Sequence, residues 1–389
     1  GTGDIIGDVT GILSYDGDSY EIQLTEAAAV TTAQGLAPQT TSLAGTASQM
    51  TVATYNVLNL DPNDGDGDTD VADGRFDAIA AQIVGNLAAP DVIGLQEIQD
   101  NTGSVENDGV TSASQTLQDL VDAIADAGGP TYEWIDNTFI IEGASGGQPG
   151  SNIRTAYLYN PARVDLVEGS VRPVDSQAPG GIYEGGRLPL AADFTFNGEV
   201  VTVVNNHFSS KGGSAPIYGT AQPFGDLQED PGVNGSLDER QAQSDRVQDF
   251  VNAIYADRGA DANVVVLGDL NEFEFVSPVL ELETDAGLVN LTNDIQEDER
   301  YTFIFQGYSQ SLDHILVSDS LAAGAEVDIV HNNVEFPDTD ARASDHEPIV
   351  ARLDLGASVN PGPFELELLH FTDQEATAAT IDNIDNLSA

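Results

Sequence analysis

Apolar positions recur along the chain with two different spacings, and together they predict a mixed α/β fold. Short apolar runs of strand length alternate with stretches in which apolar residues lie three or four positions apart, as Phe76, Ile79 and Ile83 do. Strands are predicted at 51–56, 91–95, 155–159, 200–205, 263–267, 314–317 and 349–353, and helices around 76–87, 117–124 and 240–256 and at the Ser277-Pro278 pair, with Ser277 as the N-cap.

The same pattern divides the chain into segments. Residues 48–356 hold the alternating elements and predict one α/β domain. Residues 1–30 contain two alternating strands that are too short to bury a core, so we interpret them as the C-terminal remnant of a β domain. A linker rich in small and polar residues is predicted at 31–47. A second linker is predicted at 357–363, and the first strand of a truncated domain at 364–389.

The composition allows a sizeable hydrophobic core and excludes several kinds of functional site. Forty per cent of the 389 residues are apolar, yet no run of about 18 apolar residues encodes a membrane span. The chain has no cysteine. Disulfides, thiol nucleophiles and cysteine-bound zinc are therefore excluded.

The charge of the chain is extreme. Twelve basic residues against 65 acidic ones give a net charge of −53, and Lys211 is the single lysine. The simplest interpretation is a carboxylate-rich surface that stays hydrated in salty water, and the alternative is that some carboxylates bind calcium. The basic footprint typical of nucleic-acid binding is absent. A nucleic-acid substrate would therefore depend on bound metal, a few arginines or screening by salt.

Polar side chains suited to catalysis stand at the ends of the predicted strands. Strand ends open into ligand crevices in layered α/β folds, and six such clusters form a pattern that capping does not require. Oxygen ligands without cysteine favour Mg²⁺, Mn²⁺ or Ca²⁺, and an Asp–His pair positions an imidazole for proton transfer near neutral pH. The clusters are Asn56, Gln96-Glu97, Asn206-His207, Asp269-Leu270-Asn271, Asp313-His314 and Asp345-His346.

These clusters lie in six motifs that together resemble the endonuclease/exonuclease/phosphatase superfamily. No single motif is decisive, but all of them occur in the family order across residues 51–353. The resemblance implies a deoxyribonuclease-like, four-layer α/β sandwich, in which two packed mixed β-sheets are flanked by helices. The motifs are TYNVLNL, DVIGLQE, NNHFSSKGG, VVVLGDLNEF, LDHILV and SDHEPIVARL.

The resemblance also implies which residues bind metal and orient the substrate. Glu97 matches the metal-binding glutamate, and Asn56 and Asp345 match residues beside the metal. Asp269 and Asn271 match the Asp-x-Asn pair that orients water and phosphate. The cofactor implied is Mg²⁺ or Mn²⁺, with Ca²⁺ as a catalytic or structural alternative.

Two histidines complete the implied site. His346, paired with Asp313, matches the terminal histidine that acts on the phosphate, and His207 matches a second active-site histidine of the deoxyribonuclease-like and sphingomyelinase-like branches. We hypothesise that they lie on either side of the scissile phosphate. Which histidine is the acid and which the base stays open at this point, and Asp269 competes for the role of base.

Other features are similar to the large bacterial extracellular nucleases. Four cations match basic positions there and are candidate phosphate contacts, with surface ion pairs as the alternative for each: Arg154, Arg187, Lys211 and Arg240. Residues 7–26 resemble the end of an oligonucleotide-binding-like β domain. Residues 364–376 resemble the opening strand of 5′-nucleotidase-type metallophosphatases, in which Asp373 matches a metal-binding aspartate.

An acidic segment after the first motif has two interpretations. Its alternation of Asp, Asn and Gly is typical of calcium loops, but no glutamate stands at the twelfth position of the EF-hand pattern. It is either a calcium loop or a solvated acidic loop. Its candidate ligands are Asp61, Asn63, Asp64, Asp66, Asp68 and Asp70.

The sequence therefore predicts a secreted or cell-surface enzyme that hydrolyses DNA phosphodiester bonds with a divalent metal, degrading extracellular DNA and scavenging phosphate or nucleotides. RNA is an alternative substrate, and no stable protein partner is implied. A phospholipid or inositol-phosphate phosphodiesterase, or a phosphatase, is the alternative on the same fold. A third hypothesis is a non-catalytic calcium-binding surface module, against which the intact set of metal and histidine residues argues.

Overall fold

The computed structural model describes residues 3–16, 19–33, 35–215, 227–305, 307–337 and 342–356. The predicted linker at 357–363 and the predicted strand at 364–389, with Asp373, lie outside the described residues. Within these ranges no helix has the length and apolar character needed to cross a membrane.

The described chain contains nineteen strands, five α-helices and one 3₁₀ turn at Leu291–Asp294. The helices are α1 Arg75–Gly85, α2 Ser114–Asp126, α3 Leu237–Arg258, α4 Ser277–Thr284 and α5 Asp319–Ala322. The strands are β1 Ile5–Ile6, β2 Gly11–Asp16, β3 Ser19–Leu24, β4 Val30–Thr32, β5 Gln49–Leu60, β6 Val92–Ile98, β7 Glu133–Ile135, β8 Arg154–Tyr159, β9 Asp165–Leu166, β10 Arg172–Pro173, β11 Leu190–Phe196, β12 Glu199–His207, β13 Asn263–Asp269, β14 Leu288–Asn290, β15 Phe303–Phe305, β16 Tyr308–Gln310, β17 Asp313–Ser318, β18 Glu326–Ile329 and β19 Ile349–Asp354.

Two mixed sheets form the body of the protein. The first has the spatial order β18-β19-β5-β6-β8-β7, and the second has the order β10-β11-β12-β13-β17-β14, with β9 paired to β11. The pairs β5–β6 and β12–β13 are parallel, and the neighbours of these pairs run antiparallel to them. Parallel neighbours bring the carboxyl ends of two strands to one edge, which is where the candidate catalytic residues stand.

Alternate residues of the central strands face opposite layers. In β5, Ala53 and Tyr55 belong to a core cluster shared with α1 and α2, whereas Val52 belongs to the core between the sheets. In β13, Val264 packs in the cluster that contains α3, and Val265 faces the other sheet. This period of two buries both faces of each sheet. The predicted four-layer α/β sandwich is confirmed.

The two sheets pack closely where the site forms. A side chain at Gly94 of β6 would place its Cβ 2.4 Å from Leu267 Cδ1 of β13. Gln96 of β6 also donates to the Asn205 side chain of β12 over 2.7 Å. The ends of strands from both sheets are therefore held side by side.

The helix boundaries differ from the predicted ones, and two of the differences, at α3 and α4, have clear structural descriptions. Helix α3 is longer than the predicted 240–256 segment. Helix α4 begins at Ser277, and Val276 occupies the N-cap position. Ser277 was predicted as the cap, but its backbone N–H and its hydroxyl both donate to the Glu229 carboxylate, at 2.8 and 2.9 Å. The Glu229 carboxylate thus acts as the cap of α4, because it accepts a hydrogen bond from a free N–H group at the start of the helix.

The N-terminal residues form two small hairpin-like sheets, β1–β4 and β2–β3. Their apolar side chains are largely exposed; Leu13, for example, is 67% exposed. Strand β4 extends into the predicted linker at 31–47. Later in that segment the Gln39 N–H donates to the His331 carbonyl and the Thr41 N–H to the Asn86 carbonyl, both at 2.9 Å. Contacts with the large domain thus begin before residue 48.

Candidate active site and metal centre

The register of the second sheet places three site residues side by side. His207 ends β12, Asp269 ends β13 and Asp313 begins the antiparallel strand β17. His207 is paired with Asp269 across the parallel ladder, and Asp269 is paired with Asp313 across the antiparallel one. Since residues that are directly opposite each other project on the same face, their side chains share one end of the sheet.

The Asp269 carboxylate is the centre of the site. Its Oδ2 accepts a hydrogen bond from Asn56 Nδ2 of the first sheet at 3.2 Å. The same oxygen lies 3.5 Å from His207 Nε2 and 3.8 Å from His346 Nε2. Its Oδ1 accepts from the Asn271 N–H at 2.9 Å. Both sheets and both predicted catalytic histidines therefore meet at one carboxylate.

Glu97 presents a second carboxylate to this centre. Its Oε1 accepts from Asn56 Nδ2 at 3.1 Å and lies 3.8 Å from His207 Nε2, and its Oε2 accepts from the Asn59 N–H at 3.1 Å. The backbone of Glu97 is left-handed, with φ of 62°, a conformation that costs energy for a residue with a side chain and is concentrated at functional sites. Burial, followed by the negative charge of Asp345, raises the pKa of Glu97.

His346 and Asp313 form a buried pair. His346 Nδ1 lies 2.7 Å from Asp313 Oδ2. Burial lowers the pKa of His346, but the charges of Asp313 and Asp269 outweigh it and raise that pKa well above the usual value. The imidazole is therefore protonated at neutral pH. The Ser344 hydroxyl accepts from the His346 N–H at 3.1 Å and donates to the Asn56 carbonyl at 2.6 Å, which links the last motif to the first.

His207 has the opposite charge state. Burial, and then the positive charges of Arg187 and His346, lower the pKa of His207 well below its usual value. Its ring is therefore neutral at neutral pH. The surroundings of the two histidines thus favour a neutral His207 and a protonated His346 beside Asp269, a distinction that the sequence leaves open.

Burial, and then the charge of Asp313, raises the pKa of Asp269 to about 7. A carboxylate with a pKa in this range can hold or release a proton under ordinary conditions. The backbone of Asn271 is left-handed, with φ of 50°, and its side chain donates to the Phe208 carbonyl at 3.1 Å. Asn271 therefore acts on Asp269 through its backbone, while its side chain supports the loop that follows His207.

The four predicted phosphate contacts have different surroundings. Arg187 is buried beside the centre, donates to the Phe208 carbonyl, and interacts electrostatically with Glu97 and Asp269. Arg154 is fully buried and pairs with Asp136 at 3.0 Å. Its guanidinium also donates to the Asn152 carbonyl at 3.1 Å. The structure thus brings Arg187 to the site and holds Arg154 in a separate internal ion pair.

The other two cations share a buried carboxylate, Glu272, which sequence analysis missed. Glu272 Oε2 accepts from Arg240 Nη2 at 2.9 Å and from Asn234 Nδ2 at 2.6 Å, while its Oε1 accepts from Lys211 Nζ. Arg240 also donates to the Ser209 carbonyl at 3.0 Å. The group fixes the loop after His207 to the Asp-x-Asn motif. The only sequence signal is the position of Glu272 directly after Asn271.

The acidic loop divides into two groups. Asp61, Asp66 and Asp68 each place a carboxylate oxygen within 4.8 Å of the others. Burial and the charges of neighbouring aspartates raise the pKa of Asp61 to about 7 and that of Asp68 to about 6. The other predicted ligands make separate contacts: Asn63 donates to the Thr102 carbonyl, Asp64 accepts from the Val71 N–H, and Asp70 pairs with Arg75.

The residues of the centre fit a divalent metal. Glu97, His207 and Asp269 offer ligand atoms that all lie within 4.8 Å of one another, and so do Asp269, Asp313 and His346. Asp313 Oδ1 is buried without a hydrogen-bond partner in the described part of the chain. The carboxylates of Glu97 and Asp269 supply the oxygen ligands that Mg²⁺ or Mn²⁺ prefers. Burial, and then the repulsion between neighbouring carboxylates, raises the pKa values of Glu97 and Asp269, and a bound cation would oppose both effects by favouring the charged carboxylates.

Two comparisons relate the chain to known proteins. A model described as the Endonuclease/Exonuclease/phosphatase family matches residues 53–346. The human Nocturnin catalytic domain with bound sulfate anion shares 16% identity and a TM-score of 0.50, over 79% of this chain and 94% of that one. An endonuclease/exonuclease/phosphatase family protein of Bacteroides thetaiotaomicron shares 18% identity and a TM-score of 0.51, over 78% and 94%. No curated protein sequence gives a significant match.

Proposed function

The chain belongs to the endonuclease/exonuclease/phosphatase family and is a metal-dependent phosphodiesterase, and we propose that it is a secreted nuclease that hydrolyses DNA. One observation carries the catalytic part of this proposal. The imidazoles of His207 and His346 approach the same Asp269 oxygen, at 3.5 and 3.8 Å, and their surroundings shift their pKa values in opposite directions. This arrangement can remove a proton from water and stabilise negative charge on a phosphate at one place.

The proposed roles follow from the charge states of the residues. Asp269 is fixed by Asn56 and the Asn271 backbone, and its carboxylate accepts the proton of the attacking water. His346, held by Asp313, presents a protonated Nε2 that stabilises the developing charge and donates a proton to the leaving oxygen. His207 is neutral and holds a phosphate oxygen by hydrogen bonding from the opposite side.

A divalent cation held chiefly by Glu97, with Asn56 and Asp345 beside it and Asp269 within reach, would neutralise charge on the scissile phosphate. Buried Arg187 adds a fixed positive charge to the same region. Together with metal, it provides the local positive field that the acidic surface lacks.

DNA is proposed as the substrate because NNHFSSKGG and the surrounding basic positions resemble the large bacterial extracellular nucleases. Degradation of extracellular DNA, with recovery of phosphate or nucleotides, is the role proposed on the same ground. Detecting the protein in the culture medium of cells that express the natural gene tests secretion. Its confinement to the cell interior would contradict that part of the proposal.

The substrate is tested with purified full chain and four compounds: supercoiled plasmid DNA, RNA, sphingomyelin vesicles and a phosphomonoester. Each is assayed with Mg²⁺, with Mn²⁺ and with a chelator, and His346→Ala serves as the control for contaminating activity. We expect metal-dependent nicking of the plasmid that the chelator abolishes. Hydrolysis of sphingomyelin or the phosphomonoester with intact plasmid would favour the alternative enzyme, and inactivity on all four would contradict the proposal.

A further inference from the structure

A second cluster of carboxylates lies in the loop between β5 and α1, among residues other than those of the catalytic centre. Asp61, Asp66 and Asp68 each bring a carboxylate oxygen within 4.8 Å of the other two. In the described part of the chain, no ion pair joins any of the three to a basic side chain. Arg75, the basic residue of this loop region, pairs with Asp70. The three carboxyl groups are thus held close together, and in the described part of the chain none of them has a direct ion pair with a basic side chain.

Unpaired oxygens distinguish this cluster from an ordinary acidic surface. Asp61 is fully buried, and its Oδ2 has no hydrogen-bond partner among the described residues. Asp66 Oδ1 and Asp68 Oδ1 are also buried and without partners there. A buried carboxylate oxygen without a donor is costly, and three in one place are more so. A single cation coordinated by all three carboxylates would satisfy these oxygens together.

The backbone holds two of the carboxylates in place. Asp61 Oδ1 accepts from the Asn63 N–H at 2.7 Å, and Asp66 Oδ2 accepts from the Ser104 N–H. In each residue one oxygen is fixed by the main chain, and the other is the unpaired one. Backbone N–H groups therefore hold the two carboxylates in position, and these uncharged donors leave the negative charge of the carboxylates in place.

Gly103, in a turn that is distant in sequence, packs its backbone against the carboxylates of Asp61 and Asp66. A Cβ at this position would lie 2.1 Å from Asp66 Oδ2 and 2.7 Å from Asp61 Oδ1, and its φ is 63°. Only glycine allows the backbone to approach the carboxylates this closely in a left-handed conformation. The turn at 102–104 also accepts from Asn63 Nδ2 at 2.8 Å and donates from Ser104 Oγ to the Asp66 carbonyl at 3.0 Å.

We propose that Asp61, Asp66 and Asp68 bind a structural calcium ion. The donors are all oxygen, as a hard cation requires. Calcium accepts six to eight such ligands in irregular geometry, whereas magnesium demands a near-octahedral shell and keeps more of its water. The site is independent of the proposed substrate.

The position of the site gives the ion a function. The acidic loop follows β5, which carries Asn56, and the turn at 102–104 follows β6, which carries Glu97. An ion between loop and turn would fasten together the segments that follow both strands. It would thereby stabilise the fold and hold Asn56 and Glu97 at their observed separation without contacting the substrate.

The experiment measures calcium-dependent thermal stability of the full chain. All proteins carry Glu97→Gln, which weakens the catalytic metal site, and the tested variants add Asp68→Asn or Asp66→Asn. The matched control is Asp77→Asn, which removes the same charge from an exposed position on α1. Unfolding midpoints are recorded after treatment with a calcium chelator and after addition of excess Ca²⁺ or Mg²⁺, and calorimetric titration gives the number of ions bound.

We expect Ca²⁺ to raise the midpoint of the parent and of the Asp77→Asn control by about 5 °C. Either cluster substitution should remove most of this rise and eliminate one bound ion. Equal rises in cluster variants and control would overturn the proposal, as would a parent that gains no stability from Ca²⁺. An equal gain from Mg²⁺ would overturn the assignment to calcium. Should a cluster variant fail to fold, absence of a bound ion in the folded parent still refutes the site.

Discussion

The Nδ1 atom of His346 lies 2.7 Å from Oδ2 of Asp313, and both side chains are buried. Burial by itself would keep this imidazole neutral. The carboxylate reverses that effect and, with Asp269, raises the pKa of His346 well above its usual value. The imidazolium of His346 therefore presents its Nε2 to the Asp269 carboxylate at the centre of the site, 3.8 Å away.

The pH dependence of turnover tests this relationship. Activity that needs protonated His346 is present below its raised pKa and is lost as the pH rises through that value. Asp313→Asn removes a charge that raises the pKa, so the alkaline limb of the kcat profile should move to lower pH, with turnover at neutral pH reduced roughly 10²-fold. Exposed Asp319→Asn is the matched control. An alkaline limb that stays in place in Asp313→Asn would contradict the assignment.

Metal dependence should separate Glu97 from His207. We expect Glu97→Gln and His207→Ala each to lower turnover by at least roughly 10²-fold at moderate Mg²⁺. Excess metal should restore part of the activity of Glu97→Gln, since it loses a ligand, and none of the activity of His207→Ala. Plasmid nicking across a Mg²⁺ or Mn²⁺ titration measures both. Equal rescue of the two variants would show that His207 acts mainly as a metal ligand.

Glu272 should matter for stability. Its carboxylate is fully buried between Arg240 and Lys211, so Glu272→Gln leaves two cations without their charge partner. We expect a loss of about 3–5 kcal/mol in the free energy of unfolding, measured in urea. Glu274→Gln, which breaks a partly exposed pair with Arg300, should cost under about 1 kcal/mol. Similar losses from the two substitutions would contradict this account of the buried group.

Salt should inhibit this enzyme weakly. A basic nuclease with several phosphate contacts loses about 10³–10⁵-fold in DNA affinity between about 50 and 200 mM salt. This chain has a net charge of −53, and salt screens its repulsion from DNA. We expect nicking rates at seawater-like salt to stay within about 10-fold of those at low salt. A steep decline with rising NaCl, at fixed Mg²⁺, would show that basic contacts dominate binding.

The layered fold could be predicted because buried strands produce apolar runs and surface helices produce a helical spacing of apolar residues. The family resemblance drawn from six short motifs is confirmed by the match over residues 53–346. The alignment of His207, Asp269 and Asp313 across three strands depends on register. Register is set by long-range pairing and side-chain packing, which local sequence patterns do not contain.

The ion-pair partners of the buried charged residues could not be predicted from the sequence either. Arg154 and Arg240 could be recognised as basic positions, but their buried partners Asp136 and Glu272 come from other segments. The two interpretations of the acidic loop likewise depend on Gly103, far along the chain, whose approach leaves carboxylate oxygens enclosed. In each case the deciding contact is a tertiary one.

Plasmid nicking by His346→Ala is the most direct test of the catalytic role assigned to this histidine. The variant is compared with the parent at equal concentration in Mg²⁺, with circular dichroism to establish that both are folded. We expect the parent to nick supercoiled DNA only when metal is present. We expect a rate at least roughly 10²-fold lower for His346→Ala, with no recovery at excess metal. Nicking near the parent rate by folded His346→Ala would contradict the role of this histidine.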